Sequence, residues 1–595
     1  MIKLSDYVMN FLADHGVAQV FMLPGGGAMH LDDSLGRHKT LKYTCFLHEQ
    51  ALAIAVESYG QHTNRPGVGL VTSGPGSTNT ITAVAAGFID STAMFMISGQ
   101  AKRSDLKGDT GVRQMGSQEV DIVSMVKPIT KYAVTVMNPE DIRCHLERAW
   151  HEATTGRMGP VWLDIPLDVQ GSLIDENKLS CFTPPKENIP VLPTKQIADL
   201  LTIAKRPLLL IGNGAKSANA AERLVAWAQS NHIPMLCSWK TIDLLPSDHP
   251  LCFGCPGIMG SRPANFIVQN ADLLLVVGSR LDPSLTAFNS ADFGRNAKKI
   301  MVDIDAAEIK KIKGIDLSVI SDAKYFVDAL ESLNLKLDEH AEWISYCRNL
   351  KQKYPVVLPE YAREANGVNL YAFTDELFRQ LQIGEIIVPE SSGAAGEITY
   401  QAMSVKAGQK IKNAAGLGSM GFGLPYAIGA CLAHGGRRTV LINGDGAFQM
   451  NIQELETVRR LKLPIKMFIW DNGGYVSIMN TQRNMFDGFF VGSDPGSGLT
   501  LPNVTRQAKV YDIRTVEINS NTELTLKISE VLSGDDPVMC RVKIAPNQAI
   551  SPKVQAQKLP DGGMISKPLE DMWPYLPAEE VAINMIAEQK GRCEK

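Results

Sequence analysis

Apolar and polar positions along the chain follow two alternating patterns. Short apolar runs such as Val68 to Thr72, Leu273 to Val277 and Ile465 to Trp470 have the length of buried strands. Segments with apolar residues at helical spacing lie between such runs. Strands that alternate with helices predict parallel sheets covered by helices. We therefore predict an α/β fold of three doubly wound parallel-sheet domains followed by a C-terminal tail.

Interruptions of this pattern suggest where the units begin and end. The stretch at about 172–195 is polar and proline-bearing, which is typical of a linker, and a charged helical connection occupies about 336–365. The last stretch has too few apolar runs for a domain, and we expect it to pack over the functional site with 569–572 as its anchor. The predicted units are 1–175, 190–340, 365–550 and the tail 551–595.

Composition and charge exclude several classes of function. The 595 residues carry a net charge of −4, and charges of both signs are interspersed, so nothing indicates a nucleic-acid partner. We find no apolar run long enough for a membrane span. The ten cysteines are scattered, which suggests reduced thiols and a cytoplasmic location. Cys252 and Cys255 form a C-x-x-C pattern without a second ligand pair, so we interpret them as ordinary thiols.

The stretch from Thr439 to Tyr475 carries most of the recognisable chemistry. Two apolar runs in it are separated by a segment of helical periodicity, which predicts two parallel neighbouring strands. Asp445 and Asn472 follow these runs, so both should lie at the carboxyl edge, where open α/β sheets bind ligands. Their oxygens and a nearby backbone carbonyl suit Mg²⁺ that also contacts phosphate. Taken alone, Gly-Asp-Gly is also compatible with a simple turn.

This stretch resembles the diphosphate-binding motif of thiamine diphosphate (ThDP) enzymes, in which Gly-Asp-Gly precedes asparagine at similar spacing. Here 24 residues, 447 to 470, separate Gly446 from Asp471. Asp471 stands where the family usually has a first asparagine, while Asn472 keeps the position of the metal ligand. The resemblance assigns Mg²⁺ to Asp445, Asn472 and Gly474. It assigns ThDP to Gly26, Asn79, Ser391, Ser392, Gly418, Met420, Gly444, Asp445, Gly446, Ala447, Asn472, Gly474, Tyr475 and Val476.

Three motifs in the first unit, LPGGG, HEQ and SGPGSTN, resemble the pyrimidine-binding domain of ThDP carboligases. The resemblance makes Glu49 the carboxyl group at N1′ of the aminopyrimidine, where it starts the proton transfer that activates thiazolium C2. Without that context, Glu49 is an ordinary glutamate in the first turn of a helix. Gln118 matches a glutamine that reaches the reacting centre. Met420 matches an apolar wedge between the cofactor rings, although a methionine that fills a core gap is the alternative.

A flavin site is suggested in the second unit. Gly212-Asn213-Gly214 alone is a weak signal that also fits a tight turn. Further segments align in order with the FAD-contacting segments of acetolactate (acetohydroxyacid) synthases, and they contain Arg157, Gly278, Arg280, Asp303 and Ile304. Arginine suits a pyrophosphate and an acid at a strand end suits a ribose hydroxyl. The resemblance implies FAD without a net redox role, and the alternative is a structural domain without flavin.

The resemblance to acetolactate synthases covers nearly the whole chain. It implies a carboligase that decarboxylates a 2-oxo acid, such as pyruvate, and transfers the two-carbon unit to an acceptor carbonyl. It also implies an active site shared between the subunits of a dimer or tetramer. Ser117 and Thr481 depart from the pattern, since that family usually has phenylalanine and tryptophan there. The acceptor is therefore open between a second pyruvate, which gives 2-acetolactate, and a keto-deoxy nucleotide sugar used in branched sugars of polysaccharides.

Three further hypotheses remain compatible with this sequence. The same cofactor serves hydrolases of cyclic diketones, and a flavin beside it serves pyruvate oxidases. A catalytically silent homologue is the non-enzyme alternative. The presence of Glu49, Asp445 and Asn472 argues against a silent homologue.

Overall fold

Three parallel sheets organise the part of the chain that the computed structural model describes, residues 1–558, 561 and 563–586. Each sheet is buried on both faces by helices, as its apolar clusters show. The prediction of three doubly wound α/β domains is therefore confirmed. None of the helices in the described residues is long and apolar enough to cross a membrane.

The first and third sheets have the same strand order, which is 2-1-3-4-6-5 when each is numbered from its own first strand. The strands of the first sheet are β1 (Gln19–Met22), β2 (Lys42–Cys45), β3 (Gly67–Val71), β4 (Met94–Gln100), β5 (Tyr132–Thr135) and β6 (Pro160–Pro166). The central sheet has the order β8-β7-β9-β10-β11. Its strands are β7 (Pro207–Ile211), β8 (Met235–Cys237), β9 (Leu273–Val277), β10 (Lys298–Asp303) and β11 (Leu317–Ile320). The third sheet contains β12 (Ile386–Pro389), β13 (Lys410–Ile411), β14 (Thr439–Gly444), β15 (Ile465–Asp471), β16 (Arg514–Ile518) and β17 (Val538–Lys543).

The connections between strands are mostly helical, as expected for parallel sheets. The first domain has α1 (Leu4–Asp14), α2 (Met29–Arg37), α3 (Glu49–Thr63), α4 (Pro75–Thr78), α5 (Ile81–Ile89), α6 (Ile122–Val126), α7 (Ile142–Thr154) and α8 (Leu167–Gln170). The central domain has α9 (Thr194–Ile203), α10 (Asn213–Ser217), α11 (Ala221–Ser230), α12 (Arg262–Asn270), α13 (Ala306–Lys310), α14 (Ala323–Ser332) and α15 (Ala341–Lys353). The third domain and tail have α16 (Leu370–Gln380), α17 (Ala394–Ala402), α18 (Gly423–Ala433), α19 (Asp445–Phe448), α20 (Leu455–Arg460), α21 (Val476–Met485), α22 (Val504–Val510), α23 (Leu524–Leu532) and α24 (Ala578–Asn584).

The sequence pattern missed several strands, most of them at sheet edges. The missed edge strands are β5, β11, β13 and β16. An edge strand is partly exposed, so it lacks the continuous apolar run by which buried strands were found. The inner strand β17 was also missed. The glycine loop at 73–79 itself contains the short helix α4, which α5 follows. The helical segment after Gly446 is broken at Asn451, whose φ is −145°.

Helices α3 and α18 join the first and third domains. A Cβ atom at Gly429 would lie 2.4 Å from the carbonyl oxygen of Ala55, so glycine permits this close crossing. At one end Asn451 Nδ2 donates to Gln50 Oε1 (3.2 Å) and to Gly421 O (2.8 Å). At the other end the rings of His62 and His434 approach to 3.0 Å. The helices therefore run in the same direction, with their N-termini at the same end.

The tail is attached to the rest of the chain through the predicted anchor at 569–572. Leu569 and Met572 are buried, as an anchor should be, but they pack on the central domain. Asn265 Nδ2 of α12 donates to Leu569 O (2.9 Å), and Arg295 forms an ion pair with Glu570 (2.7 Å). The expected anchor at 569–572 is therefore present, while the covering of the functional site by the tail stays a prediction. The apolar side chains at 569 and 572 complete the core beside α12, which sequence alone does not reveal.

Candidate active site

Asp445 and Asn472 lie at the carboxyl edge of the third sheet, at the ends of neighbouring strands. Strands β14 and β15 are parallel and pair Gly444 with Trp470. The Asp445 side chain is buried, with the residue 3% exposed, and its Oδ2 accepts from the backbone N–H groups of Asn472 (3.1 Å) and Gly473 (2.8 Å). The loop after β15 therefore folds around the carboxylate of Asp445, which lies in the loop after β14.

The side-chain amide of Asn472 completes a set of three metal-ligand candidates. One of its terminal atoms lies 2.8 Å from both Gly474 O and Asp445 Oδ1. In one orientation of the amide this atom is the nitrogen, and it donates to both oxygens. In the other orientation it is the oxygen, and the three oxygens together form the donor set that Mg²⁺ prefers. The described residues contain no group of three His, Cys, Asp or Glu that could hold a metal. The mixed carboxylate, amide and carbonyl set is thus the arrangement that fits a hard cation.

Burial raises the pKa of the Asp445 carboxyl group, and a bound cation would lower it. Desolvation raises the pKa of Asp445 to about 7, and the nearby charge of Asp471 adds to this. A dication favours the ionised carboxylate and so lowers its pKa. Asp471 itself forms an ion pair with Arg541, which accounts for an aspartate at this position.

The loop after β12 offers polar groups for a diphosphate. The Ser392 hydroxyl is buried and has no hydrogen-bond partner among the described residues. The Ser391 hydroxyl accepts from Ala414 N (3.1 Å). Gly393 has φ +73°, a left-handed conformation that favours glycine, and α17 begins directly after it. A helix N-terminus with an orphan hydroxyl beside it suits a phosphate.

The remaining residues assigned to the diphosphate side come from other segments of the third domain. Gly418 has φ +65°, and a Cβ there would lie 3.8 Å from Ser391 O. Met420 is 37% exposed, which is unlike a methionine filling a core gap. A Cβ at Gly446 would lie 2.5 Å from the Tyr475 ring, so these two residues are in contact. Ala447 is buried, Val476 begins α21, and a Cβ at Gly444 would meet no atom within 4 Å.

Glu49 is held at the start of α3 in the first domain. His48 caps this helix by accepting from Gln50 N (3.1 Å). Asn79 Nδ2 donates to Glu49 Oε2 (2.9 Å), so the structure brings together two residues that are thirty positions apart. Gly26 lies in the loop after β1, where a Cβ would meet no atom within 4 Å. The glutamate is partly exposed, as a group that reaches a ligand must be.

Gln118 lies against the glycine loop of the same domain. The position of a Cβ on Gly74 is 2.5 Å from the carbonyl oxygen of Gln118, and both residues have positive φ (+60° and +57°). Only glycine at 74 permits this approach. The side chains of Ser117 and Gln118 are exposed. Thr481 is also exposed, and its hydroxyl donates to Ser477 O (3.0 Å) on its own helix.

A cavity of about 1330 Å³ opens on the central domain, and most of the residues assigned to FAD line it. These are Arg157, Asn213, Gly214, Gly278, Arg280, Asp303 and Ile304. Gly212 is not in the lining, and its role is close packing, because a Cβ there would lie 2.2 Å from Gly278 O. A volume above that of ordinary drug-sized sites suits a dinucleotide.

Arg157 and Asp303, two charged residues of this cavity, differ in whether their charge is already paired with another side chain. Arg157 Nη1 donates to Asp305 Oδ2 and Glu308 Oε1, both at 2.9 Å, so its charge is already paired. Asp303 ends β10, and burial raises its pKa. Its Oδ1 accepts from Asp305 N (2.9 Å), which aims the carboxylate along the strand-end loop. Asp303 therefore fits the ribose role, whereas the pyrophosphate role of Arg157 requires it to leave its carboxylate partners.

Sequence reasoning missed one wall of the cavity. Residues 184–188 and Pro190, within the stretch predicted to be a linker, line it. Glu187 accepts hydrogen bonds from Lys324 Nζ (3.0 Å) and the Tyr325 hydroxyl. The prolines and polar residues of this stretch are equally typical of a linker and of a segment that packs across a cavity. The sequence therefore held no signal that separates the two.

Comparison with known proteins shows the same three-part organisation. Models of thiamine pyrophosphate enzymes match the N-terminal TPP binding domain at 2–125, the central domain at 194–330 and the C-terminal TPP binding domain at 392–542. Acetolactate synthase isozyme 1 large subunit of Escherichia coli (strain K12) is 30% identical over 555 residues, covering 92% of this chain and 95% of that protein. Acetolactate synthase 2, chloroplastic, of Zea mays is 31% identical over 576 residues, covering 94% and 88%. Acetolactate synthase, chloroplastic, of Arabidopsis thaliana is 31% identical over 564 residues, covering 92% and 82%.

Proposed function

The chain belongs to the thiamine pyrophosphate enzyme family, in its acetolactate synthase group, and from this we propose that it decarboxylates pyruvate and transfers the two-carbon unit to an acceptor carbonyl. The coarser statement, a ThDP-dependent carboligase similar to acetolactate synthase, follows from the three matched domains and the relatives. The observation that carries the proposal, through its cofactor, is the cradle of Asp445, Asn472 and Gly474, with the orphan Ser392 hydroxyl at the same edge of the third sheet.

In this proposal each residue has a separate task. Bound ThDP supplies a carbon nucleophile and an electron sink for decarboxylation. Asp445, Asn472 and Gly474 hold Mg²⁺, while Ser391 and Ser392 bind the diphosphate. Glu49 holds and moves a proton at the pyrimidine nitrogen, Met420 sets the angle between the rings, and Gln118 faces the substrate.

We place the complete site between two chains. Several large apolar side chains next to the assigned residues are exposed in the single chain, namely Leu47, Met115, Leu417, Met420 and Met450. Exposed apolar side chains around a binding site are typical of an interface. A dimer, or a dimer of dimers, would cover them and bring Glu49 of one chain to the metal cradle of the other.

We propose that the acceptor is another molecule of pyruvate, which gives 2-acetolactate. The alternative acceptor is a keto-deoxy nucleotide sugar. The observation that favours the larger acceptor is that Ser117 and Thr481 are both small and exposed. Mass spectrometry of products from labelled pyruvate, with 2-oxo acids, aldehydes and keto-sugar nucleotides as acceptors, tests both. Carbon dioxide release without incorporation into any of these acceptors would reject the carboligase.

Thr481→Trp is expected to shift acceptor use towards small 2-oxo acids by about tenfold, because a bulky ring removes space for larger acceptors. The measurement is the ratio of the two product masses when pyruvate and a larger acceptor compete. Thr481→Val, which keeps the size, is the control and should leave the ratio as in the wild type. An unchanged ratio in the tryptophan variant contradicts the assignment of Thr481 to the acceptor pocket.

We further propose that the cavity of the central domain holds FAD and that the flavin has no net redox role. Asp303→Ala should weaken FAD binding about 10- to 100-fold, because a hydrogen bond to a charged group is lost. The ratio of flavin absorbance to protein measures this directly. Asp316→Asn is the control, since Asp316 pairs with Lys298 (2.8 Å) at the amino end of β10. Equal flavin content in both variants, or oxygen uptake with pyruvate, speaks against this part of the proposal.

A further inference from the structure

Glu390 joins two segments of the cofactor site that are far apart in the sequence. It follows the last residue of β12 and is fully buried. One carboxylate oxygen accepts from the backbone N–H of Ser391 (3.0 Å), and the other accepts from that of Gly423 (3.0 Å). The first segment is the diphosphate loop, and the second is the start of α18, three residues after Met420.

Both the carboxylate and the backbone carbonyl of Glu390 are closely packed. A Cβ at Gly423 would lie 2.5 Å from Glu390 Oε2, and one at Gly396 would lie 2.4 Å from Glu390 O. Asn413 Nδ2 donates to the same carbonyl oxygen (3.0 Å). The first N–H groups of a helix lack partners within the helix, so Glu390 also satisfies one of them for α18. The side chain thus acts as a short rigid connection between loop and helix.

A buried carboxyl group is costly, and it persists only where hydrogen bonds repay part of the desolvation. Burial raises the pKa of Glu390 to about 7. Hydrogen bonds from Ser391, Gly423 and Asn443 oppose this increase, because they favour the ionised form. An apolar residue would avoid the cost of desolvation but would accept from neither N–H group, so the carboxyl group supplies the connection between the two segments.

We propose that Glu390 is a positioning residue, which fixes the distance between the diphosphate loop and the Met420 wedge and thereby the angle between the two cofactor rings. The inference rests on the proposed ThDP site and on the role of Met420 in it. When Glu390 is replaced, the diphosphate should stay bound. The angle between the two rings, which allows deprotonation of C2, should become less well defined.

The test compares Glu390→Gln with Glu385→Gln. Glu385 precedes the first residue of the same strand, is also buried, and pairs with Arg438 at the opposite edge of the sheet. Three quantities are measured on each holoenzyme: the Tm, the Kd for ThDP with Mg²⁺, and the rate of H/D exchange at C2 of the bound cofactor. Both variants should lower the Tm.

Only Glu390→Gln should slow C2 exchange, by about 10- to 100-fold, as expected for a misplacement near 1 Å. Its Kd for ThDP should change by less than about tenfold, because only one backbone hydrogen bond is lost. Exchange at the wild-type rate in Glu390→Gln overturns the inference. If that variant does not fold, Glu390→Asp, whose shorter side chain cannot reach both N–H groups, is measured with the same expectation.

A double-mutant cycle with Met420→Ala shows whether Glu390 acts through the wedge. Effects on C2 exchange should be clearly less than additive, since residues that act as a unit are non-additive. Additive effects overturn the inference even if each single variant is slow. A wild-type protein that fails to bind ThDP instead rejects the proposed function, so the two failures are distinguishable.

Discussion

Glu49→Gln is expected to leave ThDP and Mg²⁺ bound and to slow H/D exchange at thiazolium C2 by about 10²- to 10⁴-fold, the contribution of a general acid–base group. The structure holds Glu49 at the start of α3 by a hydrogen bond from Asn79 (2.9 Å). Glutamine retains an acceptor for Asn79 but has no proton to exchange with the pyrimidine nitrogen. The measurement is NMR of the cofactor after timed incubation in D₂O and acid quench.

Glu57→Gln is the matched control for this prediction, because it makes the same change two turns further along α3. Glu57 is fully buried, and burial together with Asp90 raises its pKa to about 8. The raised pKa favours the protonated form of Glu57, which glutamine closely resembles. We expect normal C2 exchange in Glu57→Gln. If both variants exchange alike, Glu49 does not have the assigned role.

Asp445→Ala should weaken the binding of ThDP with Mg²⁺ by about a hundredfold or more, since even groups that only support a metal ligand contribute 10- to 100-fold. The carboxylate is the charged member of the cradle, and it also accepts from the N–H groups of Asn472 and Gly473. Its loss removes a ligand and loosens the loop that carries the other two. Calorimetric titration of Mg²⁺ and ThDP measures the effect.

Asp471→Asn is the control for the metal cradle, because Asp471 is a nearby carboxylate at the end of the neighbouring strand β15. It pairs with Arg541 and is partly exposed, and such ion pairs contribute less than about 1 kcal/mol. Affinity for ThDP with Mg²⁺ should stay within about fivefold of the wild type. If Asp471→Asn weakens binding of ThDP with Mg²⁺ as much as Asp445→Ala does, the total negative charge at this sheet edge, and not a specific metal ligand at Asp445, explains the effect.

Mixing the two inactive variants tests the shared site. If Glu49 and Asp445 act from different chains, a heterodimer of Glu49→Gln and Asp445→Ala contains one site with both wild-type residues. Activity should then appear after subunit exchange, although neither variant is active alone. If both residues act from the same chain, every site is damaged and the mixture stays inactive.

Some features of the site were predictable because short sequence segments determine them. A strand, a Gly-Asp-Gly loop and a second strand place Asp445 and Asn472 at one edge of any parallel sheet. Glu49 likewise follows from a motif at the start of a helix. The edge strands were less predictable, since partial exposure removes the apolar run that marks inner strands.

Other features depend on contacts between distant segments. Arg157 is paired with Asp305 and Glu308, and nothing near Arg157 in the sequence indicates this. The stretch that looks like a linker forms a wall of the central cavity, and the tail packs on α12.

The sequence by itself determined the α/β class, the order of the three domains and the residue types that meet at the carboxyl edges, because periodicity and loop motifs are local. Only the tertiary structure decided which of these groups are free to bind a ligand. It set the Asn472 amide against Gly474 O and Asp445, left the Ser392 hydroxyl unpartnered, and brought Glu390 to Gly423. Such partners are fixed by packing between elements, and packing depends on the whole chain rather than on any one segment.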